Sequence, residues 1–434
     1  MANSGVLPKR PSAAPGAAAR VTEVAVVGGG ILGCSAALHL QLRGCDDVTL
    51  IERGWIGSGT SSADAGLVAR WSAGFVPAWG KEELEIETYG LDFYRELSRR
   101  THVPGYAQTG TLFVAAAGPT GARRLLPFAP HAPAEELALL TPADVEELTE
   151  GFVRAAGVAG GVFDPRGGRV APGPAARALA SRCAELGGVI LEHEPVCSIR
   201  RGRSGGFVLE TAHGHASCRT LVVAAGCWTN AILRQFGLWL PIAPLVATRL
   251  TTERLEVPRS LPPVQFCDGH RLYFRGDAGS IAWGCNYECD PRYSFVAREL
   301  PHCLDGLSVG CVAEMQRAAL RVESAVPALA GARTVRAVHG VPCFTADLRP
   351  MIGELSTVPG LYVVAGDNYA GVTHAPGAGR LLAELVTDAP DASVDAYPYR
   401  PERFGGEFQA GADVVDAMRW TATRTFVAAR AEAS

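Results

Sequence analysis

Val24-Ala25-Val26-Val27-Gly28-Gly29-Gly30-Ile31-Leu32-Gly33 reads as an apolar strand, a glycine turn and the opening of a helix. Gly28 permits a sharp exit from the strand. Gly30 lets the backbone approach a pyrophosphate at the positive end of the helix, where Ile31 and Leu32 begin, and Gly33 lets helix and strand pack closely. Leu38 and Leu40 continue the helix, Val48 to Ile51 form a second short strand, and Glu52 follows it directly. That carboxylate, nineteen residues past Gly33, stands where such folds hydrogen-bond a ribose 2′-OH. Strand, turn, helix and acid together predict a dinucleotide site. Glu52 would repel the 2′-phosphate of NADP, whereas FAD and NAD both remain open on these residues.

The rest of the chain bounds what such a site serves. At 434 residues with 48% hydrophobic content, there is core material for two domains. The net charge is only −4 and no Lys/Arg block interleaves with aromatics, which argues against nucleic acid. No run of eighteen apolar residues occurs, so no membrane helix is expected. Residues 1–20 are rich in Ala, Pro, Gly and Ser and lack the apolar core of a signal peptide. They are read as a disordered leader on a cytoplasmic protein. Twelve cysteines are scattered without a CxxC pair; Cys285 and Cys289 come nearest, with no partner set, so reduced thiols and no metal are expected.

Two further apolar runs end in glycine, Leu221–Gly226 and Leu361–Gly366. Such runs are what buried parallel strands look like when they deliver loops to a nucleotide. They lie far apart in sequence, so one nucleotide domain is assembled from separate segments, with another domain inserted between them. The intervening Gly110–Ala115, Arg271–Arg275 and Ser280–Gly284 read as antiparallel strands, with a turn at Gly276–Gly279. The predicted class is α/β (α+β overall): a discontinuous Rossmann-like domain carrying an inserted mixed or antiparallel β-sheet substrate domain. Residues 21–80, 145–240 and 336–389 go to the first, 81–144 and 241–335 to the second, and 390–434 to a surface-packed tail.

Several motifs now carry a family resemblance. Gly57-Ser58-Gly59-Thr60-Ser61-Ser62-Ala63-Asp64-Ala65-Gly66-Leu67 is a small-residue loop after Glu52, and Asp164-Pro165 leads into a helix. Pro195-Val196 and Ala224-Ala225-Gly226-Cys227-Trp228 follow, then Thr345-Ala346-Asp347-Leu348-Arg349-Pro350 and Gly366 to Gly379. Over residues 21–405 the chain resembles the D-amino-acid-oxidase-type flavoproteins, which include glycine oxidase, the sarcosine oxidases and dehydrogenases, and dimethylglycine dehydrogenase. The resemblance implies FAD. It implies that Arg53, Gly59, Thr60, Ser61, Ala65, Gly66 and Leu67 wrap the cofactor, with Val196 at the adenine and Ala225, Gly226 and Trp228 at a second pyrophosphate-side turn. Gly340, Gly371, Val372, Thr373 and His374 then lie on the flavin side, where a helix N-terminus faces the charge that builds up in reduced flavin.

Departures are as informative. The position aligned with the histidine that holds flavin covalently in the dehydrogenase branch is Ala63, so non-covalent FAD is expected. Pro342 stands where glycine oxidase-like members place a carboxylate-binding arginine, and the only lysines, Lys9 and Lys81, fall outside the segment of an oxygen-activating lysine. Tyr287, Arg275 and His374 are the candidate catalytic or substrate-binding residues, each with an alternative packing or surface role. His39 reads as exposed, and Trp71 and Trp79 as lid or core. The resemblance implies oxidation of a C–N bond of an amine or amino acid, by hydride transfer to flavin and hydrolysis of the resulting imine. Oxygen or an electron-transfer partner would be the acceptor. Oxidation of a non-amine or carrier-bound intermediate, or a non-catalytic FAD-retaining binding protein, are the alternatives.

Overall fold

The computed structural model describes residues 19–76, 79–100, 105–118, 120–130, 136–203, 205–267, 272–285, 300–302, 304, 307, 312–389, 393–419 and 421. The leader up to residue 18 and Tyr287 lie outside them.

All three glycine-ended runs are neighbours in one eight-stranded sheet. Strand His215–Val223 lies in the middle, parallel to Ala19–Val27 on one side and to Leu361–Ala365 on the other. Val48–Ile51 and Val189–Leu191 extend the parallel part beyond Ala19–Val27. The strands turn apolar where helices cover the sheet, as at Val24–Val27, Leu221–Val223 and Leu361–Ala365. Helices Ile31–Leu42, Pro172–Glu185 and Gly371–Thr387 share a core with Val24, Val26, Leu50, Val222 and Val364.

A second eight-stranded sheet runs in the order 334–340, 247–252, 280–285, 272–277, 264–266, 111–116, 158–164, 138–140. It is mixed: Val264–Phe266 pairs parallel with Thr111–Ala116, and its other pairings are antiparallel. The hairpin between Leu272–Asp277 and Ser280–Cys285 turns at Ala278 and Gly279, both at positive φ, as a tight two-residue loop requires.

Three expectations change. Strands Val158–Asp164 and Thr334–Gly340 belong to the second sheet rather than the nucleotide domain, because their partners are Thr111–Ala116 and Ala247–Thr252. Helix Lys81–Arg100 goes the other way, burying Ile86, Leu91, Tyr94 and Leu97 in the nucleotide-domain core. The segment after residue 390 is no surface tail: Tyr399, Val414, Val415 and Met418 are buried, and Tyr399 donates its hydroxyl to Glu83 at 2.9 Å. Their apolar surface completes cores that earlier segments leave open.

His39 is buried, not exposed. Helix Ile31–Leu42 packs on the sheet with one face and on Tyr89 and Phe93 of Lys81–Arg100 with the other, leaving no stripe for solvent. The ring is satisfied by the Ser35 carbonyl at 2.8 Å and the Tyr89 hydroxyl at 3.1 Å.

Candidate active site

The glycine turn folds as its residue types require. Gly28 has φ +115°, and a methyl there would run into the Ala224 carbonyl; at Gly33 a methyl would strike the Gly28 carbonyl. Helix and strand therefore approach as closely as backbones allow. Gly30 caps the helix, and a methyl added to it would meet only Ser61 Oγ, at 3.4 Å, so this side of the turn is open. Glu52 fastens the turn: Oε2 accepts from Gly29 N–H at 2.6 Å and Oε1 from Gly54 N–H at 2.8 Å. Ile31 N–H, the first amide of the helix, donates to Ser61 Oγ at 3.0 Å and brings the loop over the helix end.

The other expected cofactor residues gather around the same edge. Gly59 caps the short helix Thr60–Ala63, and Thr60 Oγ1 accepts from Val341 N–H at 3.0 Å beside Gly340. Leu67 pairs with Arg169 in a two-residue ladder, and Gly66 accepts from Val170 N–H at 2.9 Å. The Arg53 guanidinium lies 3.9 Å from the centroid of the Trp228 ring, just past the Ala225-Gly226 turn. Val196 opens strand Val196–Arg201 and is half-buried. Gly371, Val372, Thr373 and His374 form the buried first turn of Gly371–Thr387. A helix N-terminus, an open glycine face and a slot beyond them fit an FAD. Ala63 offers only a methyl group toward that slot, which suits a non-covalent cofactor.

Between the loop and the second sheet lies a cavity with about 850 Å³ of empty space, counted out to its mouth. Thr60, Ala63, Asp64, Ala65 and Leu67 line one side, with Gly340, Pro342 and residues 367–370. Trp71, Phe75, Val76 and Trp79 form an aromatic wall. The sheet contributes Ala247, Thr248, Arg249, Gln265 and Tyr273.

Arg249 is the cation of this cavity. It sits on Ala247–Thr252, directly across from Val338, so the neighbouring strand supplies the charge that Pro342 does not. One Nη donates to the Asp64 main-chain carbonyl, while Nε has no hydrogen-bond partner. Among the described residues no carboxylate forms an ion pair with it, and desolvation lowers its pKa. Asp64 accepts from Gly66 N–H at 2.7 Å. Burial pushes its carboxyl up to about 6, the Gly66 hydrogen bond opposing, Asp367 adding, and Arg249 and Arg275 opposing.

The structure gives Arg275 and His374 tasks behind the cavity lining. Arg275 Nε donates to the Ala65 carbonyl at 2.5 Å and Nη1 to Gly276 O at 3.0 Å and Asp277 Oδ1 at 3.2 Å, fastening the loop to the sheet. His374 is buried against Glu87, and its ring lies 4.8 Å from that of Trp79. Trp71 and Trp79, undecided from sequence, both face the cavity. Arg249 and Glu87 were missed. The available signals were an arginine in an alternating strand and a carboxylate on the apolar face of an amphipathic helix.

Among the described residues no cluster of metal ligands occurs, and no helix is long and apolar enough to cross a membrane. Comparison with known proteins places this geometry. The chain is 30% identical over 399 residues to 4-methylaminobutanoate oxidase (formaldehyde-forming) of Paenarthrobacter nicotinovorans, covering 88% of this chain and 45% of that one. It is 26% identical over 401 residues to mitochondrial dimethylglycine dehydrogenase of Rattus norvegicus, covering 88% and 45%. The chain thus spans less than half the length of these curated relatives. The crystal structure of glycine oxidase from Geobacillus kaustophilus matches with a TM-score of 0.72 and 27% identity, over 88% of this chain and 99% of that one. The model of the FAD dependent oxidoreductase family matches residues 23–385, and the chain belongs to that family.

Proposed function

We propose that the protein oxidises a C–N bond of an amino acid, preferably an N-substituted one, with non-covalent FAD as the hydride acceptor. The observation that carries this reading is Arg249: a half-buried guanidinium, without a carboxylate partner among the described residues, in a cavity beside the cofactor loop. Desolvating a cation without an anion is costly, so the arrangement favours a ligand that brings a carboxylate. Bound there, the substrate presents its C–H and amine to the loop side of the cavity.

The flavin supplies two-electron acceptance. The protein orients the substrate, excludes water and handles one proton. An ammonium must lose a proton before its α C–H leaves as hydride, and Asp64, in the cavity lining, is placed to receive it. Loss of that proton and the hydride leaves an iminium ion, which water cleaves to a carbonyl compound and an amine. Oxygen or an electron-transfer partner would be the final electron acceptor, and the protein works in the cytoplasm without nucleic acid.

The test is anaerobic bleaching of the yellow, FAD-loaded protein by amino, N-alkylamino and hydroxy acids. The amine series should reduce the flavin and the hydroxy acids should not. Absence of reduction by every amine, with flavin bound, would refute the reading. Reduction by hydroxy acids alone would transfer the activity to a C–O bond.

A further inference from the structure

Building on the reading above, we infer that the substrate of this site carries a bulky apolar group, ring-sized or branched, that lies on Trp71, Phe75, Val76 and Trp79 while Arg249 takes its carboxylate.

The wall's polar edges are already spent inside the protein. Trp71 Nε1 donates to Thr373 Oγ1 at 3.2 Å and Trp79 Nε1 to the Leu348 carbonyl at 2.8 Å. What these indoles leave for a ligand is carbon surface. The wall is also fixed before anything binds. Ser72, between Trp71 and Ala73, donates its main-chain N–H to Glu87 Oε2 at 3.1 Å and its hydroxyl to the same oxygen. Trp71 packs edge-on against Phe75 at 5.4 Å and Phe113 at 5.6 Å, with Phe75 and Phe113 5.4 Å apart. A preorganised apolar face loses little entropy when it is covered, and wetting it is unfavourable. An amino acid no larger than glycine or its N-methyl derivative would engage Arg249 and leave the aromatic face in water.

The test uses carboxylates that lack an amine and therefore cannot be oxidised. Acetate, 3-methylbutanoate, phenylacetate and indole-3-acetate are titrated into the FAD-loaded protein, and binding is read from the perturbed visible absorbance of the flavin. Affinity should rise from acetate to phenylacetate by about tenfold or more. Phe75→Ala should weaken phenylacetate by about tenfold and leave acetate unchanged. Phe75→Leu is the milder variant should the first lose flavin. Equal affinity for acetate and phenylacetate, or a preference for acetate, would overturn the inference and leave C–N oxidation standing. Failure of all four acids to bind would overturn it by removing the carboxylate anchor, and with it the observation that carries the functional reading.

Discussion

His374 Nε2 stands 3.3 Å from Glu87 Oε1, with both side chains out of water. The other oxygen of Glu87 holds Ser72, so one carboxylate on helix Lys81–Arg100 ties the segment carrying Trp71 to helix Gly371–Thr387. Burial raises the Glu87 pKa, and His374 and Ser72 oppose the rise. Glu87→Gln keeps an acceptor for Ser72 and should cost about 1–2 kcal/mol. Glu87→Leu strands Ser72 N–H and His374 and should cost about 3 kcal/mol or more. Thermal unfolding of the FAD-loaded variants measures both. A Leu variant as stable as the parent would show that the cluster holds nothing in place.

Gly33 and Gly30 separate folding from cofactor binding. At Gly33 an added methyl meets the Gly28 carbonyl, so Gly33→Ala should displace the turn and lower both stability and flavin content. At Gly30 the nearest atom is Ser61 Oγ, 3.4 Å away, so the flavin-free fold should tolerate Gly30→Ala within about 1 kcal/mol. Flavin binding by Gly30→Ala should nevertheless fall by tenfold or more, because the methyl takes space a pyrophosphate would use. Apo-protein melting together with the absorbance ratio of flavin to protein distinguishes the two effects. Full flavin content in Gly30→Ala would place the pyrophosphate elsewhere.

At Arg249, lysine should not substitute for arginine. The guanidinium uses one Nη on the Asp64 carbonyl and would meet a carboxylate with its other Nη, while Nε is buried without a partner. An ammonium is a compact point charge that cannot do both with the same geometry. Arg249→Lys should weaken binding of a carboxylate ligand by about tenfold and Arg249→Gln by about a hundredfold. Ligand titration followed by flavin absorbance checks this, and unchanged affinity in the Gln variant would remove Arg249 from substrate binding.

What could be read from the chain followed its local signals. Strand periodicity and glycine endings placed Ala19–Val27, His215–Val223 and Leu361–Ala365 in one sheet, because burial on both faces writes itself into four or five consecutive residues. The small-residue loop Gly57–Leu67 stood out as a motif for the same reason: its residues are adjacent in sequence. Arg249 was not, since a cavity-lining cation is defined by what surrounds it across strands rather than by its neighbours in the chain. His39 was misread as exposed because a helix buried on two sides carries a polar residue wherever one hydrogen bond on each side satisfies it. Glu87 escaped notice likewise, its partners Ser72 and His374 being 15 and 287 residues away.

Two buried groups give the pH dependence of stability opposite contributions. Burial pushes the His39 pKa from 6.5 to about 4, the Ser35 carbonyl opposing and Arg380 and Arg43 adding. The folded state therefore holds His39 neutral where the unfolded chain would protonate it. That contribution is complete above pH 6.5 and is lost as pH falls toward 4. Asp64 runs the other way. Its folded pKa of about 6 exceeds the ordinary 3.8, so folding favours the protonated form, and its contribution, present below 3.8, is lost as pH rises through 6. Each is worth at most about 3 kcal/mol, with Asp64 discounted for its residual contact with water. Denaturant unfolding of the flavin-free protein between pH 4 and 7 should show a shallower acid loss for His39→Gln than for the parent. Asp64→Asn, which keeps an acceptor for Gly66 N–H, should show a steeper one, gaining on the parent as pH rises. Parallel pH profiles for parent and Asp64→Asn would mean that the carboxylate is hydrated in the flavin-free protein, leaving the cavity wet at that end.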